Sequence, residues 1–454
     1  MIDHAINPLD GRYFEETRAF APYFSEQALM KYRVMIEGEY LIALSVLNKT
    51  ALRKFSNFEI KNIKKLYELT KEDCKYIKEI ERETNHDVKA IEYFLKEKLL
   101  KTSLKDSIEW VHFALTSEDI NNIVYALILS NSLEKVMVPS IKEIIFNLNK
   151  LVLKHKNLPM LARTHGQSAS PTTFGKEIKV FASRLEKQIK ILSSIKIETK
   201  LNGATGNYNA HIAAYPNVDW TEFSKKFIEG FNKDYSQKLK ANLITTQIEC
   251  HDSYVDIFDT IRRINTILLD FNQDIWRYIS DGWIEQIPKV GETGSSTMPH
   301  KINPINFENS EGNLGLANAL FEFFARKLPV SRLQRDLSDS TVERNFGSAF
   351  GYCLVAYKNL LKGLAGIGVD ENRVKQDLNN HPEVITEAIQ TILRRERVAM
   401  PYEKLRELTR GKSVTLTDIH KFIKGLAISD KIKKELLKIT PENYTGLASK
   451  LASR

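Results

Sequence analysis

The chain of 454 residues carries 66 Lys and Arg against 57 Asp and Glu, a formal charge of +9, with 43% hydrophobic residues. At about 150 residues per domain it has room for two to four domains and a substantial buried core. Its 20 glycines and 13 prolines fall below the usual ~7% and ~5%, which with 27% charged residues favours long helices and excludes collagen-like, mucin-like and disordered classes.

Much of the lysine lies in mixed stretches such as Lys61 to Glu83, where acidic residues interleave. These read as solvated helix faces rather than a nucleic-acid patch. The positive surplus suits an enzyme acting on anions, whose local concentration a positive field raises. Cys74, Cys250 and Cys353 are far apart with no CxxC, which fits a reducing compartment. Met1 to Arg12 shows no apolar core before a cleavage site, and no run of eighteen apolar residues occurs; the expectation is a soluble, cytoplasmic protein that does not engage membrane.

Proline interrupts helices, so its gaps mark where long ones run. An amino-terminal helical domain is expected over 1–110. Within it Asn85-His86-Asp87 forms a polar cluster in an otherwise helical run. A central bundle follows over 111–364. Thr116-Ser117-Glu118-Asp119 reads as a helix start whose hydroxyls and free N–H groups suit a carboxylate, or as an ordinary N-cap. Arg163-Thr164-His165-Gly166-Gln167 is a polar connection before a helix over about Thr172 to Glu198. His165 there can trade a proton near neutrality, or be merely structural. The clearest helix runs from about Cys250 to Ile279, with Val255, Phe258, Ile261, Ile264, Leu268, Phe271, Ile275 and Ile279 spaced by three or four.

Pro288 to Pro304 then interrupts the helical pattern with two glycines, three prolines and four hydroxyl residues. A loop of that length is usually functional or a flexible linker, and Lys301 and Asn303 supply donors for a carboxylate. It is not a nucleophile elbow, since Met298 stands where GxSxG needs glycine. Gly411-Lys412-Ser413 is not a phosphate loop either, since Arg406 replaces its first glycine. Helices are expected over about Asn306 to Lys327 and Thr341 to Leu364. Ser340-Thr341-Val342-Glu343 matches a capping box, and Ser340 with Arg335 and Arg344 makes a hydroxyl and two guanidinium groups suited to a phosphate. Helices this long pack side by side as a bundle. A smaller helical domain, 365–454, follows the glycines from Gly363 to Gly368. The ten histidines show no HxH, HxxxH or HExxH spacing, so metal ligation is not expected.

Together GSSTMPHKINP at 294 to 304, RTHGQ at 163 to 167, TSEDINN at 116 to 122, TNHDVKAIEYF at 84 to 94 and RDLSDSTVERN at 335 to 345 resemble the adenylosuccinate lyase family. The loop alone marks the wider fumarase/aspartase superfamily; the segments at 84 to 94 and 335 to 345 narrow the match to the purine enzymes, in the form found in enterobacteria. The resemblance implies an all-α fold of three domains and a homotetramer with a twenty-helix core and active sites built from three subunits. It implies removal of fumarate from adenylosuccinate, giving AMP, and from the succinylated aminoimidazole carboxamide ribotide (SAICAR), giving the free carboxamide ribotide (AICAR). It implies no cofactor, no metal and no nucleic-acid partner.

By the same resemblance Ser295 is the general base and His165 the general acid. Arg12, Tyr13, Asn85, His86, Asp87, Thr116, Ser117, Gln247, Ser296, Lys301, Ile302, Asn303, Asn309, Arg335, Ser340, Thr341, Val342, Glu343 and Arg344 fall at substrate-binding positions. Ser168 and Ser170 replace a proline and a threonine usual after RTHGQ, and Glu343 stands where an apolar residue is expected. The residues suit the chemistry. β-Elimination builds charge on one carboxylate, which Lys301, Asn303 and the Thr116-Ser117 turn can stabilise, and on a leaving nitrogen, which protonated His165 can neutralise. A serine base needs positive surroundings and a water-poor closed loop. The rival readings are another superfamily member such as an argininosuccinate lyase, and a helical nucleic-acid binder using the +9 charge, which predicts salt-sensitive RNA binding and no turnover.

Overall fold

The structure is a computed structural model and describes residues 4–233, 239–288, 291, 297–411 and 413–454. Among these residues helix dominates, as expected, and strands form three short pairs. β1 (Pro159–Thr164) is antiparallel to β2 (Gln167–Thr173), β3 (Ile197–Thr199) is parallel to β4 (Leu239–Ala241), and β5 (Ile284–Gln286) is antiparallel to β6 (Ile367–Val369).

The periodic segments become helices Phe174–Ser194, Asp252–Ser280 and Ile305–Lys327. Asp252–Ser280 has 29 residues, a length of about 44 Å at the α-helical rise. Phe258, Ile261, Ile264, Leu268, Phe271 and Ile275 along it are fully buried, so the spacing read from sequence is its packing face. It starts two residues later than expected because His251 has φ 61, a left-handed conformation that cannot continue into an α-helix.

The helix expected over Thr341 to Leu364 is divided in two, Ser338–Glu343 and Phe346–Ala365. The Asn345 amide reaches back to Val342 O at 2.9 Å, and its side chain donates to Thr341 O at 2.9 Å. These bonds tighten the turn and occupy a carbonyl that the next helical residue would use. The expected capping box also differs. The short helix begins at Ser338 after Leu337, so Ser340 lies inside it and Glu343 is buried.

The described chain forms two compact units. The first comprises Met1–Ile141, Gln188–Thr266 and Gly312–Lys358. Its core is aromatic: Phe258 lies 5.4 Å from Phe321 and 5.1 Å from Phe346, ring centre to ring centre, and Phe350 packs on Phe20, Phe24 and Phe321. Such pairs add about 0.5–1.5 kcal/mol each beyond burial. The second comprises Lys142–Lys187, Ile267–Glu311 and Asn359–Arg454. Its carboxy-terminal helices bury Leu378, Ile389, Leu393, Ile419, Ile423 and Leu436 in one cluster with Leu161 of β1. Gly175, just after β2, has backbone O of Val152 where a Cβ would lie at 2.6 Å, so only glycine allows that approach.

Candidate active site

In the first unit, helix Lys71–Thr84 stops at Asn85, whose φ of 51 is left-handed and whose amide donates to Glu81 O at 2.8 Å. Asparagine tolerates this conformation at a helix end. His86 is extended and caps the next helix, Asp87–Leu100, its Nδ1 accepting from the Lys89 amide at 3.1 Å. The polar cluster is thus a helix–helix junction that sets two side chains in fixed directions. Asp87 Oδ2 accepts from Arg33 at 2.7 Å and from Arg344 at 2.8 Å, while Oδ1 accepts from the Val88 amide at 2.8 Å. Burial alone would raise the Asp87 pKa, but the two guanidinium groups hold it below the usual carboxylate range. His86 Nε2 lies 3.3 Å from Ser117 Oγ.

Ser117 opens helix Ser117–Ser132, and Thr116 caps it, with the Thr116 amide donating to Asp119 Oδ2 at 2.9 Å. The helix start read from sequence is therefore present. Asp119 is fully buried and also takes Lys200 Nζ at 2.8 Å and the amides of Asn202 and Gly203 at 3.0 and 3.1 Å. This buried pair locks the helix start to the segment after β3. Arg335 places Nη2 2.9 Å from Glu118 and 3.0 Å from Ser340 Oγ, and Nε 3.2 Å from Asp339. Arg344, half-exposed, also donates to Ser340 O at 3.3 Å.

The structure therefore brings His86, Asp87, Ser117, Arg335, Ser340 and Arg344 into one connected polar network. A cavity of about 450 Å³ beside it is lined by Arg33, Asp87, Tyr125, Glu343 and Arg344 among others. A larger cavity of about 760 Å³, lined by Ile42, Val46, Phe223 and Phe227, holds none of the expected site residues. Thr341 is exposed, whereas Val342 and Glu343 are buried. Exposed Arg12 lies 6.0 Å from the Tyr13 ring, and Gln247 donates to Ala204 O at 2.9 Å.

The remaining expected residues belong to the second unit. His165 and Gly166 form the two-residue tip between β1 and β2, with φ 52 and 74. Two left-handed residues in succession are what a tight hairpin of this twist requires, and they leave the His165 ring exposed. The hairpin is tied down around its tip. Arg163 bonds Asp377 at 2.8 Å, Ser168 Oγ lies 3.1 Å from His381 Nδ1, and Ser170 donates to Glu387. Both serines that depart from the family pattern thus have hydrogen-bond partners. Lys301 and Ile302 are exposed, Asn303 is half-buried, and Asn309 is half-buried in helix Ile305–Lys327. Ser295 and Ser296 lie outside the described residues, as do 289–290 and 292–294 of the same loop.

Sequence reasoning missed Arg33, Asp119 and Lys200 as members of the network. Arg33 carried a signal: a cation among Met30, Val34 and Ile36 on a buried helix needs a counter-charge. Among the described residues no group of three His, Cys, Asp or Glu side chains is set to hold a metal ion, and no helix is long and apolar enough to cross a membrane. Chemically, two guanidinium groups with a serine hydroxyl can hold an oxyanion in a forked grip, and Ser117 at a helix start can hold a carboxylate.

Comparison with known proteins extends this. Residues 11–318 match the family model described as lyase, and 331–445 match adenylosuccinate lyase C-terminal. The adenylosuccinate lyase of Legionella pneumophila strain Corby is 48% identical over 458 residues, covering 99% of this chain and 98% of that protein. Those of Escherichia coli K12 and Dictyostelium discoideum are 46% and 49% identical, covering 98% of this chain and 97% and 96% of theirs. Among solved structures, a fumarate lyase from Mesorhizobium sp. BNC1 superposes with a TM-score of 0.73 at 15% identity, covering 96% of each chain. The 3-carboxy-cis,cis-muconate lactonizing enzyme of Pseudomonas putida gives 0.73 at 18%, covering 99% of this chain and 98% of that one. These two share the fold.

Proposed function

The chain belongs to the adenylosuccinate lyase family of the fumarase/aspartase superfamily, and from that membership we infer that it is a carbon–nitrogen lyase of purine nucleotide synthesis. It removes fumarate from adenylosuccinate, leaving AMP, and from SAICAR, leaving AICAR. The observation that carries this reading is identity of 46–49% to adenylosuccinate lyases over 98–99% of the chain.

In the proposed mechanism Arg335, Ser340 and Arg344 grip the 5′-phosphate, a group remote from the bond that breaks, so its binding energy holds and orients the succinyl arm. His86, Thr116 and Ser117, with Lys301 and Asn303, receive the succinyl carboxylates. Ser295 takes the proton from the carbon beside one carboxylate, that electron pair becomes the double bond of fumarate, and the carbon–nitrogen bond breaks. His165 delivers a proton to the departing nitrogen. The role of Ser295 is supported by its place in GSSTMPHKINP. That of His165 is supported by RTHGQ and by its exposed ring at a hairpin tip. Arg12, Tyr13, Asn85, Asp87, Gln247, Ser296, Ile302, Asn309, Thr341, Val342 and Glu343 complete the substrate contacts by main chain or side chain.

We also propose that the enzyme works in the cytoplasm as a homotetramer whose sites are shared between subunits, with domains at 1–110, 111–364 and 365–454. The discriminating experiment supplies purified protein with adenylosuccinate, SAICAR and argininosuccinate and measures fumarate. Release from the two ribotides alone is expected; release from argininosuccinate alone would move the chain to the other branch of the superfamily.

A further inference from the structure

Glu343, which stands where the family resemblance calls for an apolar residue, is only 1% exposed, and neither of its carboxyl oxygens has a hydrogen-bond partner. It lines the 450 Å³ cavity. Glu118 is fully buried; its Oε1 has no partner, and its Oε2, though 2.9 Å from Arg335, does not meet hydrogen-bond geometry. Such groups are seldom left charged and unpartnered in a protein interior.

Counting charges around them exposes a deficit. Five carboxyl groups, Asp87, Glu118, Asp119, Asp339 and Glu343, share four cations. Each cation is engaged: Lys200 by Asp119, Arg33 and Arg344 by Asp87, and Arg335 by Glu118 and Asp339. Farther out, Lys78 with its partners Glu26 and Glu81 lines the same cavity, and His112, paired with Glu37, bears on Asp119. The phenols of Tyr125 and Tyr254 are held neutral chiefly by burial, and burial pushes His251 down to about 4, where it is uncharged. The charge of Lys327 bears on His251, and its ammonium donates to Val330 O at 2.7 Å. Burial, and after it the carboxylates and cations nearby, leaves Glu118 titrating at about 7 and Glu343 well above the usual carboxylate range.

We propose that Glu118 and Glu343 share one proton behind the Arg335, Ser340 and Arg344 anion subsite, and that Glu343 is a positioning residue linking phosphate binding to retention of that proton. Losing the proton sets a second negative charge beside both arginines, where it competes with the incoming dianion. Binding a phosphate and binding the proton therefore favour each other, and by linkage each strengthens the other equally. The inference rests on the phosphate reading of Arg335, Ser340 and Arg344.

The test is calorimetric binding of AMP and of adenosine to the full-length protein between pH 7 and pH 9, where the AMP phosphate, with a second pKa of about 6, stays dianionic. The affinity of the native protein for AMP should fall by up to about tenfold per pH unit as the pair ionises, one proton being linked. In Glu343→Gln, isosteric and uncharged, that fall should flatten, while adenosine affinity should show no difference in slope between the two proteins. At pH 8, AMP binding to the native protein should take up protons from buffer, a measurement that needs no variant. Identical slopes in native and Glu343→Gln protein, or no proton uptake, would overturn the proposal with the phosphate reading intact. Undiminished AMP affinity in Arg344→Ala would instead overturn the phosphate reading, and the proposal with it.

Discussion

Arg344 reaches Asp87 across 257 positions of the chain, its Nη2 2.8 Å from Asp87 Oδ2. Arg33 shares that oxygen at 2.7 Å from a side chain only 5% exposed. One carboxylate thus fixes a buried arginine and a half-exposed one, and couples the Asn85 junction to the turn after the short helix Ser338–Glu343. Replacing Asp87 with alanine removes the partner from a buried cation and should cost about 3–5 kcal/mol, the usual penalty for breaking a buried pair. Chemical denaturation of native and variant protein measures it; a loss below about 1 kcal/mol would show that Asn121, which accepts from Arg33 at 2.9 Å, suffices alone.

The same cluster predicts a pH dependence of stability. Burial penalises the charge of Glu118 and pushes its pKa up to about 7 in the fold, from the ordinary 4.5. Between those values the folded state keeps a proton that the unfolded chain releases. The contribution of Glu118 is therefore fully present below pH 4.5 and is lost as pH rises through 7. Glu118→Gln should lessen the fall in melting temperature from pH 5 to pH 8, and an unchanged slope would assign the proton to another group.

Phosphate recognition is tested by removing each guanidinium. Arg335→Ala and Arg344→Ala should weaken binding of the nucleotide AMP much more than binding of adenosine, since a charge-assisted contact contributes about 1.5–3 kcal/mol. Equal losses for the two ligands would mean that these arginines serve the fold instead.

Proton delivery to nitrogen is tested at His165. His165→Gln keeps polarity but carries no imidazolium proton, so kcat should fall by about 10²- to 10⁴-fold while KM changes little. Near-normal turnover would pass the acid role to another group, and His86, 3.3 Å from Ser117, is the next to replace.

The long helices and the helix start at Thr116 were legible because apolar spacing and capping chemistry are local. Phe258, Ile261 and Leu268 announce their helix face within one window of sequence, and Asp119 stands three residues from the residue it caps. The network was legible only in part, because its pairings are distant: nothing local links Arg33 to Asp87 or Lys200 to Asp119. His165 was recognised as a histidine in a connection, but the hairpin that exposes it depends on strand pairing across that connection. Glu343 was noticed as out of pattern. Its burial was not, because the helical pattern expected over Thr341 to Leu364 gave no sign that one helix would become two at Arg344 and Asn345.

At the centre of the proposed function, one site cleaves both succinylated ribotides. Fumarate release from adenylosuccinate, measured over a range of SAICAR concentrations, tests it most directly. Two substrates of one site inhibit each other competitively, so the inhibition constant of SAICAR should equal its own KM, with fumarate formed from both. Additive rates without mutual inhibition, or no fumarate from either substrate, would contradict it.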